Sequence, residues 1–423
     1  MLKALRGTKD ILPDEVGLWI HIENSARDIF SIYGYNEIRT PLIEEAELFK
    51  RSIGEYSDIV QKEMYLFEDR AGRLVALRPE GTAPIVRAYL ENCGRYSQRL
   101  QKFFYIGPMF RGERPQKGRQ RQFHQIGVEL IGSSLPFRDA EIIQLATVFL
   151  KRLGIKEEDF SVRLNSLGCE KDKLLLIKKC QEDIRPVLKS LCETCISRYD
   201  KNVLRIFDCK MEGCIDAIKD IKIKNTLCDE CKGHFDAVKR YLNEWGVKFQ
   251  LDEKIVRGLD YYTRTVFEIT HKALGSQDAI CAGGRYDNLI KDMGGKDTPA
   301  IGFALGVERL ILSMKIDSTK RPYKKLDVSI VTTGKALQDE AFRFLNFLRD
   351  KSRFSCDVHF EEDSLKAQMR QAERSGARLV VIFGEEEFKN KKLIIKNMDT
   401  GFQEEVDYNY EALLKKLERD IPR

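Results

Sequence analysis

The sequence predicts an α+β protein in which a large antiparallel sheet carries a helical insertion and is followed by a separate α/β domain. Strand-like segments up to residue 305 are joined by a hairpin and by irregular helical stretches, whereas a parallel sheet needs regular crossover helices. Charged helical sequence with clustered cysteines occupies about residues 171–245. From Leu326 onward, apolar strands alternate with helices as β-α-β-α-β.

The first predicted element is an amphipathic helix. Pro13 suits a first helical position, two acidic residues follow it near the positive end of the helix dipole, and apolar residues keep helical spacing until Gly34. Residues 35–43 then form a strand-like segment. Because Pro41 lacks a backbone donor, we expect this segment at a sheet edge or at an interface with a second subunit.

Further strand-like segments follow along the chain. They lie at residues 74–77, 101–113, 122–131, 160–164, 265–270 and 300–305. The sequence has no Walker loop and no GxGxxG motif after a strand, which argues against a doubly wound nucleotide-binding fold.

A predicted hairpin spans residues 110–129, FRGERPQKGRQRQFHQIGVE. Alternate side chains of a strand share a face, so one face should carry chemistry and the other should join the core. An arginine fork meets phosphate oxygens and a carboxylate accepts from an amine, so this face suits a nucleotide and an amino group. A solvated basic hairpin is the alternative, but it does not explain an aromatic and amides on the same face. That face holds Arg111, Glu113, Arg121, Phe123, Gln125 and Glu129.

Other segments carry residues suited to ligand binding. Glu80 and Thr82 stand beside a predicted helix start and suit an α-amino group. In RGLDYYT, residues 257–263, we expect the adjacent Tyr261 and Tyr262 to point to opposite faces of a strand, one into a pocket and one into packing. A purely structural tyrosine pair is the alternative interpretation.

Two glycine-containing segments allow a ligand to approach the backbone. CAGGRYDN, residues 281–288, supplies two adjacent glycines before an arginine, a tyrosine and an aspartate. In residues 302–309, a small-residue strand ends at Gly306 and a helix begins with Glu308 and Arg309. An arginine at a helix start can reach the phosphates of a nucleotide.

Eleven cysteines and no export signal favour reduced thiols or metal ligands over disulfides. The pairs Cys192-x-x-Cys195 and Cys228-x-x-Cys231 have zinc-ligand spacing, with Cys209, Cys214 and His234 nearby. These four paired cysteines are the predicted ligands of one structural zinc, and small buried residues are the alternative.

Composition limits the class of protein. The 423 residues suit two or three domains. No apolar run approaches the roughly 20 residues that cross a bilayer, and the N-terminal segment lacks a signal-peptide core, so we expect a cytoplasmic protein without membrane contact. The net charge of +6 permits an RNA partner without indicating one, because phosphate affinity depends on where Lys and Arg cluster.

Together these segments resemble class II aminoacyl-tRNA synthetases, and among them the histidyl-tRNA synthetase family. The resemblance covers almost the whole chain in order and fades at about residues 210–225. Residues 33–41, 110–129 and 302–309 resemble motifs 1, 2 and 3, RGLDYYTRTVFE and GGRYDNLI resemble the two histidine-specific segments, and RGTKDILP and LRPEGTA also match.

The resemblance implies a homodimer with a catalytic domain over residues 1–325, an inserted subdomain at about 171–245, and an anticodon-binding domain over 326–423. It implies that L-histidine and ATP form histidyl-adenylate with Mg²⁺, and that the histidyl group passes to tRNA(His). A histidine-sensing regulatory paralogue of the catalytic domain is the nearest alternative, and a zinc-dependent nucleic-acid-binding module is a further one.

The resemblance also implies a role for each site residue. Catalysis falls to Arg111 and Arg257 at the α-phosphate and Arg309 at the γ-phosphate. Gln116 is implied in contact with tRNA. The implied ATP-binding set is Arg111, Glu113, Arg121, Phe123 and Arg309. The implied histidine-binding set is Glu80, Gly81, Thr82, Arg111, Gln125, Glu129, Arg257, Tyr261 and Tyr262.

Overall fold

A computed structural model describes most of the chain. The described residues are 2–55, 57–93, 100–209, 211–221, 227–253, 255, 259, 261–275, 279–314, 326–360 and 364–421. The chain divides into two compact units, Met1–Ile11 with Trp19–Ile316 and Leu12–Leu18 with Asp317–Arg423. The predicted domain boundary after residue 325 and the predicted site residue Arg257 lie outside the described residues.

The first unit is built on an eight-stranded sheet. In spatial order its strands are β1 (Asn36–Glu37), β5 (Gln101–Phe110), β6 (Gln122–Ile131), β11 (Ala300–Gly306), β10 (Ala279–Arg285), β9 (Thr263–His271), β7 (Phe160–Ser166) and β8 (Phe249–Leu251). The interior pairs are antiparallel, and only the edge pairs β1–β5 and β7–β8 are parallel. The predicted antiparallel sheet is therefore confirmed.

A smaller sheet of three antiparallel strands accompanies the large one. Its order is β2 (Ile43–Glu45), β4 (Leu74–Leu77) and β3 (Tyr65–Glu68). The first unit contains α1 (Pro13–Ile32) from Trp19 onward. Its other helices are α2 (Ala46–Ile53), α3 (Thr82–Asn92), α4 (Pro136–Arg152), α5 (Glu170–Ile184), α6 (Glu193–Lys201), α7 (Glu212–Ile218), α8 (Asp229–Glu244), α9 (Leu289–Asp292) and α10 (Val307–Ser313).

Two strand predictions differ from the structure. The segment 35–43 forms two short strands, β1 and β2, rather than one, because the intervening Pro41 has no N–H for a ladder. The predicted strand 101–113 ends at Phe110. Beyond it, the Gly112 N–H donates to the Glu63 carbonyl at 2.6 Å, so the chain leaves the hairpin ladder.

The second unit holds a five-stranded sheet ordered β13 (Cys356–Val358), β12 (Val328–Thr332), β14 (Leu379–Phe383), β15 (Lys392–Asn397) and β16 (Gln403–Asp407). Its helices are α11 (Gln338–Lys351), α12 (Leu365–Arg374), α13 (Glu385–Lys389) and α14 (Tyr410–Asp420). The predicted β-α-β-α-β order is present, and the antiparallel β15 and β16 extend it. Among the helices that the structure describes, none combines the length and apolar character needed to span a membrane.

A buried ion network ties the sheet of the first unit to two helices. Asp139 on α4 accepts from Arg285 Nε on β10 at 3.0 Å and lies 2.8 Å from His234 Nε2 on α8. All three residues are buried, Asp139 and Arg285 fully. Burial alone would raise the pKa of Asp139, but cationic Arg285 and the His234 hydrogen bond lower it below its usual value. His234 is thus engaged with a carboxylate.

We predict that Asp139→Asn destabilises the first unit, because the change removes the fully buried counter-charge of the Arg285 guanidinium and leaves only the partly buried Asp287 carboxylate, at 3.0 Å. The expected loss is about 3 to 5 kcal/mol in the free energy of unfolding. Both tryptophans, Trp19 and Trp245, belong to this unit, so tryptophan fluorescence during urea unfolding reports on it.

The matched control is Glu47→Gln, which breaks a solvent-exposed ion pair with Arg51 on α2. Exposed pairs contribute about 0 to 1 kcal/mol, so this variant should unfold close to the parent. Equal effects from the two substitutions would contradict the importance of the buried network.

Candidate functional site

A cleft of about 450 Å³ opens over the large sheet of the first unit. Ten of the predicted site residues line it. They are Glu80, Thr82, Arg111, Glu113, Phe123, Gln125, Glu129, Tyr261, Tyr262 and Arg309. Phe123, Gln125 and Glu129 of β6 reach the cleft because they share one face of the strand.

One end of the cleft is rich in guanidinium groups. Arg111 Nε donates to the Pro79 carbonyl at 2.9 Å, and its guanidinium lies 5.2 Å from the centre of the Phe123 ring. Arg309, on the first turn of α10, donates from Nε to the Gly118 carbonyl at 3.0 Å and from Nη1 to the Ala279 carbonyl at 2.8 Å. Backbone carbonyls therefore hold both side chains in position.

Arg119 brings a third guanidinium to this end of the cleft. Burial lowers the pKa of Arg309, and the charges of Arg119 and Arg111 act in the same direction. Arg309 still stays protonated at neutral pH because a guanidinium titrates far above it. Like charges held this close favour the binding of an anion.

Glu113 lines the same end and accepts from Arg119 Nη1 at 3.0 Å. Its carboxylate was expected to accept from an exocyclic amine, and its present partner is a cation from the hairpin loop. Arg119 is not among the predicted site residues, although it lies within the predicted hairpin of residues 110–129.

The other end of the cleft is acidic and phenolic. The Glu129 carboxylate accepts from the Thr82 hydroxyl at 2.7 Å and from the Tyr286 hydroxyl at 2.5 Å. Burial raises the pKa of Glu129 to about 8, although the hydrogen bonds from Tyr286 and Thr82 lower it, and neighbouring Glu80 raises it further. This carboxyl therefore changes its charge near neutral pH.

Glu80 has a second, structural task at the start of α3. Its two carboxylate oxygens accept the backbone N–H groups of Thr82 and Ala83 at 2.7 and 2.8 Å. These N–H groups belong to the first turn of the helix, where backbone donors have no acceptor within the helix. The cap fixes the Glu80 carboxylate at the edge of the cleft.

Tyr261 and Tyr262 both line the cleft, and their ring centres are 4.8 Å apart. The prediction that they point to opposite faces of a strand is wrong. The strand β9 begins only at Thr263, so the two tyrosines lie before it, where side chains do not alternate. Tyr286 completes a phenolic group with Tyr261 at 5.7 Å between ring centres.

Tyr105 on β5 supports the floor of this pocket. A Cβ atom on either Gly81 or Gly127 would lie 2.4 Å from its ring, so the ring lies directly against two stretches of backbone. Gly81 therefore contributes by having no side chain, which lets the Tyr105 ring lie against its backbone. Tyr105 and Tyr286 are site residues outside the predicted set. The alternation of β5 could have indicated the first, and the second lies in the CAGGRYDN segment, to whose tyrosine no role was given.

Two predicted contacts lie outside the cleft lining. The Arg121 N–H donates to the Gly7 carbonyl at 2.7 Å, and a Cβ on Gly7 would lie 2.9 Å from the Arg121 side chain. Arg121 thus packs on the N-terminal segment. Gln116 forms a small turn with Arg119, with N–H···O distances of 3.0 and 2.9 Å between their backbones.

The cysteines form two clusters rather than one. The first joins Cys192 and Cys195, with Cys209 and Cys214. The second joins Cys228 and Cys231 with Cys169 and Asp172. The predicted ligand set of Cys192, Cys195, Cys228 and Cys231 is therefore wrong, because the two pairs belong to different clusters and each meets its own partners.

Comparison with known proteins agrees with this geometry. The family model described as histidyl-tRNA synthetase matches residues 7–310, and the model described as anticodon binding domain matches residues 327–419. Histidine--tRNA ligase of Moorella thermoacetica is 49% identical over 403 residues, which are 95% of each chain. The enzyme of the same name from Thermosipho melanesiensis is 46% identical and covers 97% of each.

The same similarity extends to solved structures. The crystal structure of apo S. aureus histidyl-tRNA synthetase is 34% identical, with a TM-score of 0.81 over 99% of this chain and 100% of that one. Because the family model covers more than half of the chain and the relatives align along nearly all of it, this chain belongs to the histidyl-tRNA synthetase family.

Proposed function

We propose that this chain is a histidine--tRNA ligase, which activates L-histidine with ATP to histidyl-adenylate and transfers the histidyl group to tRNA(His). One observation carries the proposal. A single cleft combines clustered guanidinium groups at one end with an acidic, phenolic pocket at the other. The first end suits a triphosphate and the second suits an amino acid with an imidazole ring.

Adenylate formation needs charge stabilisation more than proton transfer. The carboxylate of histidine attacks the α-phosphate of ATP, the bond to the pyrophosphate oxygen breaks, and negative charge builds on the phosphate oxygens. We assign the α-phosphate to Arg111 and Arg257 and the γ-phosphate to Arg309. Arg111 and Arg309 are held by backbone carbonyls, so their positions need little rearrangement when the charge develops.

The adenine ring is assigned to Phe123, an aromatic side chain of the cleft lining that can stack with it, and Glu113 is assigned as acceptor of the exocyclic amine. The contact of Arg121 with ATP stays a prediction. Because Arg119 already pairs with Glu113, we infer that ATP separates the two and draws Arg119 towards its phosphates.

Mg²⁺ is the ion we assign to the bound triphosphate. It prefers oxygen ligands in octahedral geometry and is commonly held by one or two carboxylates together with substrate phosphates. The described lining of the cleft offers such carboxylates in Glu63 and Glu268, so the donor chemistry fits. When bound, the ion neutralises the charge of the β- and γ-phosphates. None of the clustered cysteines lines the described cleft, so zinc takes no part in this step.

The histidine side chain is assigned to Glu129 and Tyr262, with Tyr261 nearby. An imidazole presents two ring nitrogens to these polar groups, and an amino acid that lacks them leaves buried groups unpaired. Each unpaired group costs about 1 to 3 kcal/mol, which is the source of selectivity. An imidazolium ring would also favour the ionised form of Glu129.

The α-amino group is assigned to Glu80, Thr82 and Gln125. Gln125 Oε1 is buried and has no hydrogen-bond partner among the described residues, so it can accept from an ammonium group. Each Glu80 oxygen accepts one backbone N–H and retains a further lone pair.

The remaining parts of the proposal concern assembly and tRNA. We propose a homodimer in the cytoplasm, a catalytic domain over residues 1–325 with an inserted subdomain at about 171–245, and an anticodon-binding domain over 326–423. Gln116 in the hairpin loop is assigned to the acceptor end of tRNA(His). A regulatory paralogue is the weaker candidate, since such proteins usually lose the catalytic arginines, whereas Arg111 and Arg309 line the cleft here.

The first test is exchange of labelled pyrophosphate into ATP, measured with each of the standard amino acids. Histidine should support exchange at least about 100-fold better than any other, because the pocket must satisfy two ring nitrogens. A regulatory protein would bind histidine without exchange, and a nucleic-acid-binding module would do neither. Faster exchange with a different amino acid would refute the substrate assignment.

The pKa of Glu129 predicts a pH dependence of stability. The unfolded carboxyl ionises near pH 4.5, whereas the folded one retains its proton until about pH 8. The unfolded state therefore binds fewer protons in this window, so stability falls as pH rises and the loss is complete above pH 8. The expected loss is on the order of a few kcal/mol, and Glu129→Gln should remove it.

The measurement is urea unfolding of the histidine-free protein at several pH values, followed by tryptophan fluorescence. Glu47→Gln, which alters an exposed carboxylate, serves as the control and should keep the pH dependence of the parent. If Glu129→Gln and the parent show the same slope between pH 5 and about 8, the buried carboxyl does not titrate as described.

The pairing of β6 with β11 generates a further prediction. A Cβ atom at Gly302 would lie 1.8 Å from Glu129 Oε2 and 2.5 Å from the Val128 carbonyl oxygen. Gly302→Ala should therefore displace the Glu129 carboxylate and raise KM for histidine at least about tenfold in pyrophosphate exchange. KM for ATP should change much less.

The control for this substitution is Gly233→Ala on α8, where an added Cβ meets nothing within 4 Å. That variant should keep the parental KM for histidine, because alanine is well tolerated in a helix. An unchanged KM in Gly302→Ala would show that Glu129 does not read the substrate.

A further inference from the structure

Two clusters of metal-ligating side chains lie between residues 169 and 231, outside the cleft. In the first, the four sulfur atoms of Cys192, Cys195, Cys209 and Cys214 lie within 4.8 Å of one another. In the second, the sulfur atoms of Cys169, Cys228 and Cys231 and a carboxylate oxygen of Asp172 meet the same limit. The cysteines of both clusters are free thiols.

Three ligand pairs share one local geometry. Cys192, Cys228 and Cys169 each stand directly before a helix in extended backbone, with φ between −65° and −75°. The partner of each pair follows three residues later, on the first turn. Residues at this spacing face the same side, and a helix N-terminus favours a thiolate. Two of these pairs face each other in the second cluster.

Backbone hydrogen bonds link the members of each cluster. The Cys192 N–H donates to Cys214 Sγ at 3.1 Å, and the Cys169 N–H donates to Cys231 Sγ at 3.2 Å. The Asp172 carboxylate accepts the Cys228 N–H at 3.1 Å. Such donors stabilise negatively charged sulfur and oxygen ligands and orient them towards a metal.

The geometry points to two separate structural zinc sites, a Cys₄ site at Cys192, Cys195, Cys209 and Cys214 and a Cys₃Asp site at Cys169, Asp172, Cys228 and Cys231. Tetrahedral zinc with Zn–S bonds of about 2.3 Å separates its sulfur ligands by about 3.8 Å, which falls within the 4.8 Å that bounds the ligand atoms of each cluster. Two disulfides would instead draw sulfur atoms together in pairs, to about 2.05 Å.

The size of the insertion explains what the metals contribute. Its buried cluster is small and includes Cys195 and Cys214 themselves, together with Leu176, Ile184 and Ile206. A segment below about 70 to 80 residues rarely stabilises itself with a hydrophobic core alone, and a metal supplies the missing free energy.

Each site also fixes a contact with the catalytic region. The Cys₄ site flanks the 3-10 turn Val203–Asp208, from which Arg205 reaches the cleft lining and lies 3.9 Å from Asp58. The Cys₃Asp site lies where the chain leaves the large sheet after β7 and begins α5. It joins this point to the start of α8, which leads back to the sheet at β8. Next to it, Lys173 Nζ donates to the Tyr262 carbonyl at 3.2 Å.

The test is elemental analysis and native mass spectrometry of the full-length protein purified without added chelator. We expect two equivalents of zinc. Cys209→Ser should remove one equivalent and Cys228→Ser the other, while Cys93→Ser, which changes an exposed cysteine outside both clusters, should retain two. Metal content is measured without any activity assay, so the result is independent of the proposed function.

Cobalt substitution of the parent protein keeps the test decisive even if a variant fails to fold. Two equivalents of Co²⁺ should produce d–d absorption bands typical of tetrahedral sites, together with a thiolate-to-cobalt charge-transfer band. The charge-transfer band should grow in two titration phases of unequal intensity, because one site has four thiolate ligands and the other has three. The proposal would be overturned by a parent protein that holds less than one equivalent of zinc or whose clustered cysteines are joined by disulfides. It would also be overturned if both variants lost the same single ion.

Discussion

The register between β6 and β11 is the constraint on which the site depends. Gly302 pairs directly with Glu129, and only a glycine leaves room for the carboxylate to turn towards Thr82 and Tyr286. A slip of one residue would turn Phe123, Gln125 and Glu129 to the opposite face of the sheet. Binding chemistry in this protein is therefore a consequence of strand pairing as much as of side-chain identity.

The cleft separates opposite charges along one sheet. Arginines gather where the hairpin loop meets α10, and carboxyl and phenol groups gather where β6 meets α3. Solvent exclusion strengthens both ends, as the lowered pKa of Arg309 and the raised pKa of Glu129 indicate. Removing these groups from solvent costs free energy, and contacts with bound ligands at the two ends would offset that cost.

Much of this arrangement could be predicted from the sequence, because period-two alternation in residues 122–131 identifies a strand and its chemical face together. The order of the C-terminal strands and helices could also be predicted, from the alternation of apolar strands with helices after Leu326. Tyr105 and Tyr286 were missed since their roles arise from packing between strands that are distant in the chain. The prediction that Tyr261 and Tyr262 point to opposite faces of a strand is wrong because β9 begins only at Thr263, and sequence patterns do not locate a strand boundary to one residue.

The cysteines illustrate the same limit more sharply. Spacing identified each Cys-x-x-Cys pair, but it carries no information about which pairs meet in space. The partners of Cys228 and Cys231 include Asp172, a residue with no distinguishing local pattern. The ligands of this cluster are determined by tertiary packing, which brings the N-termini of α5 and α8 together.

The ring of Tyr105 rests on main chain at Gly81 and Gly127 rather than on interchangeable side chains. The base of the acidic, phenolic end of the cleft thus tolerates little change, since any larger residue at either glycine collides with the ring. A molecule that lies on this base would meet a surface whose shape is set by main chain and cannot be altered by substituting either glycine without displacing the ring.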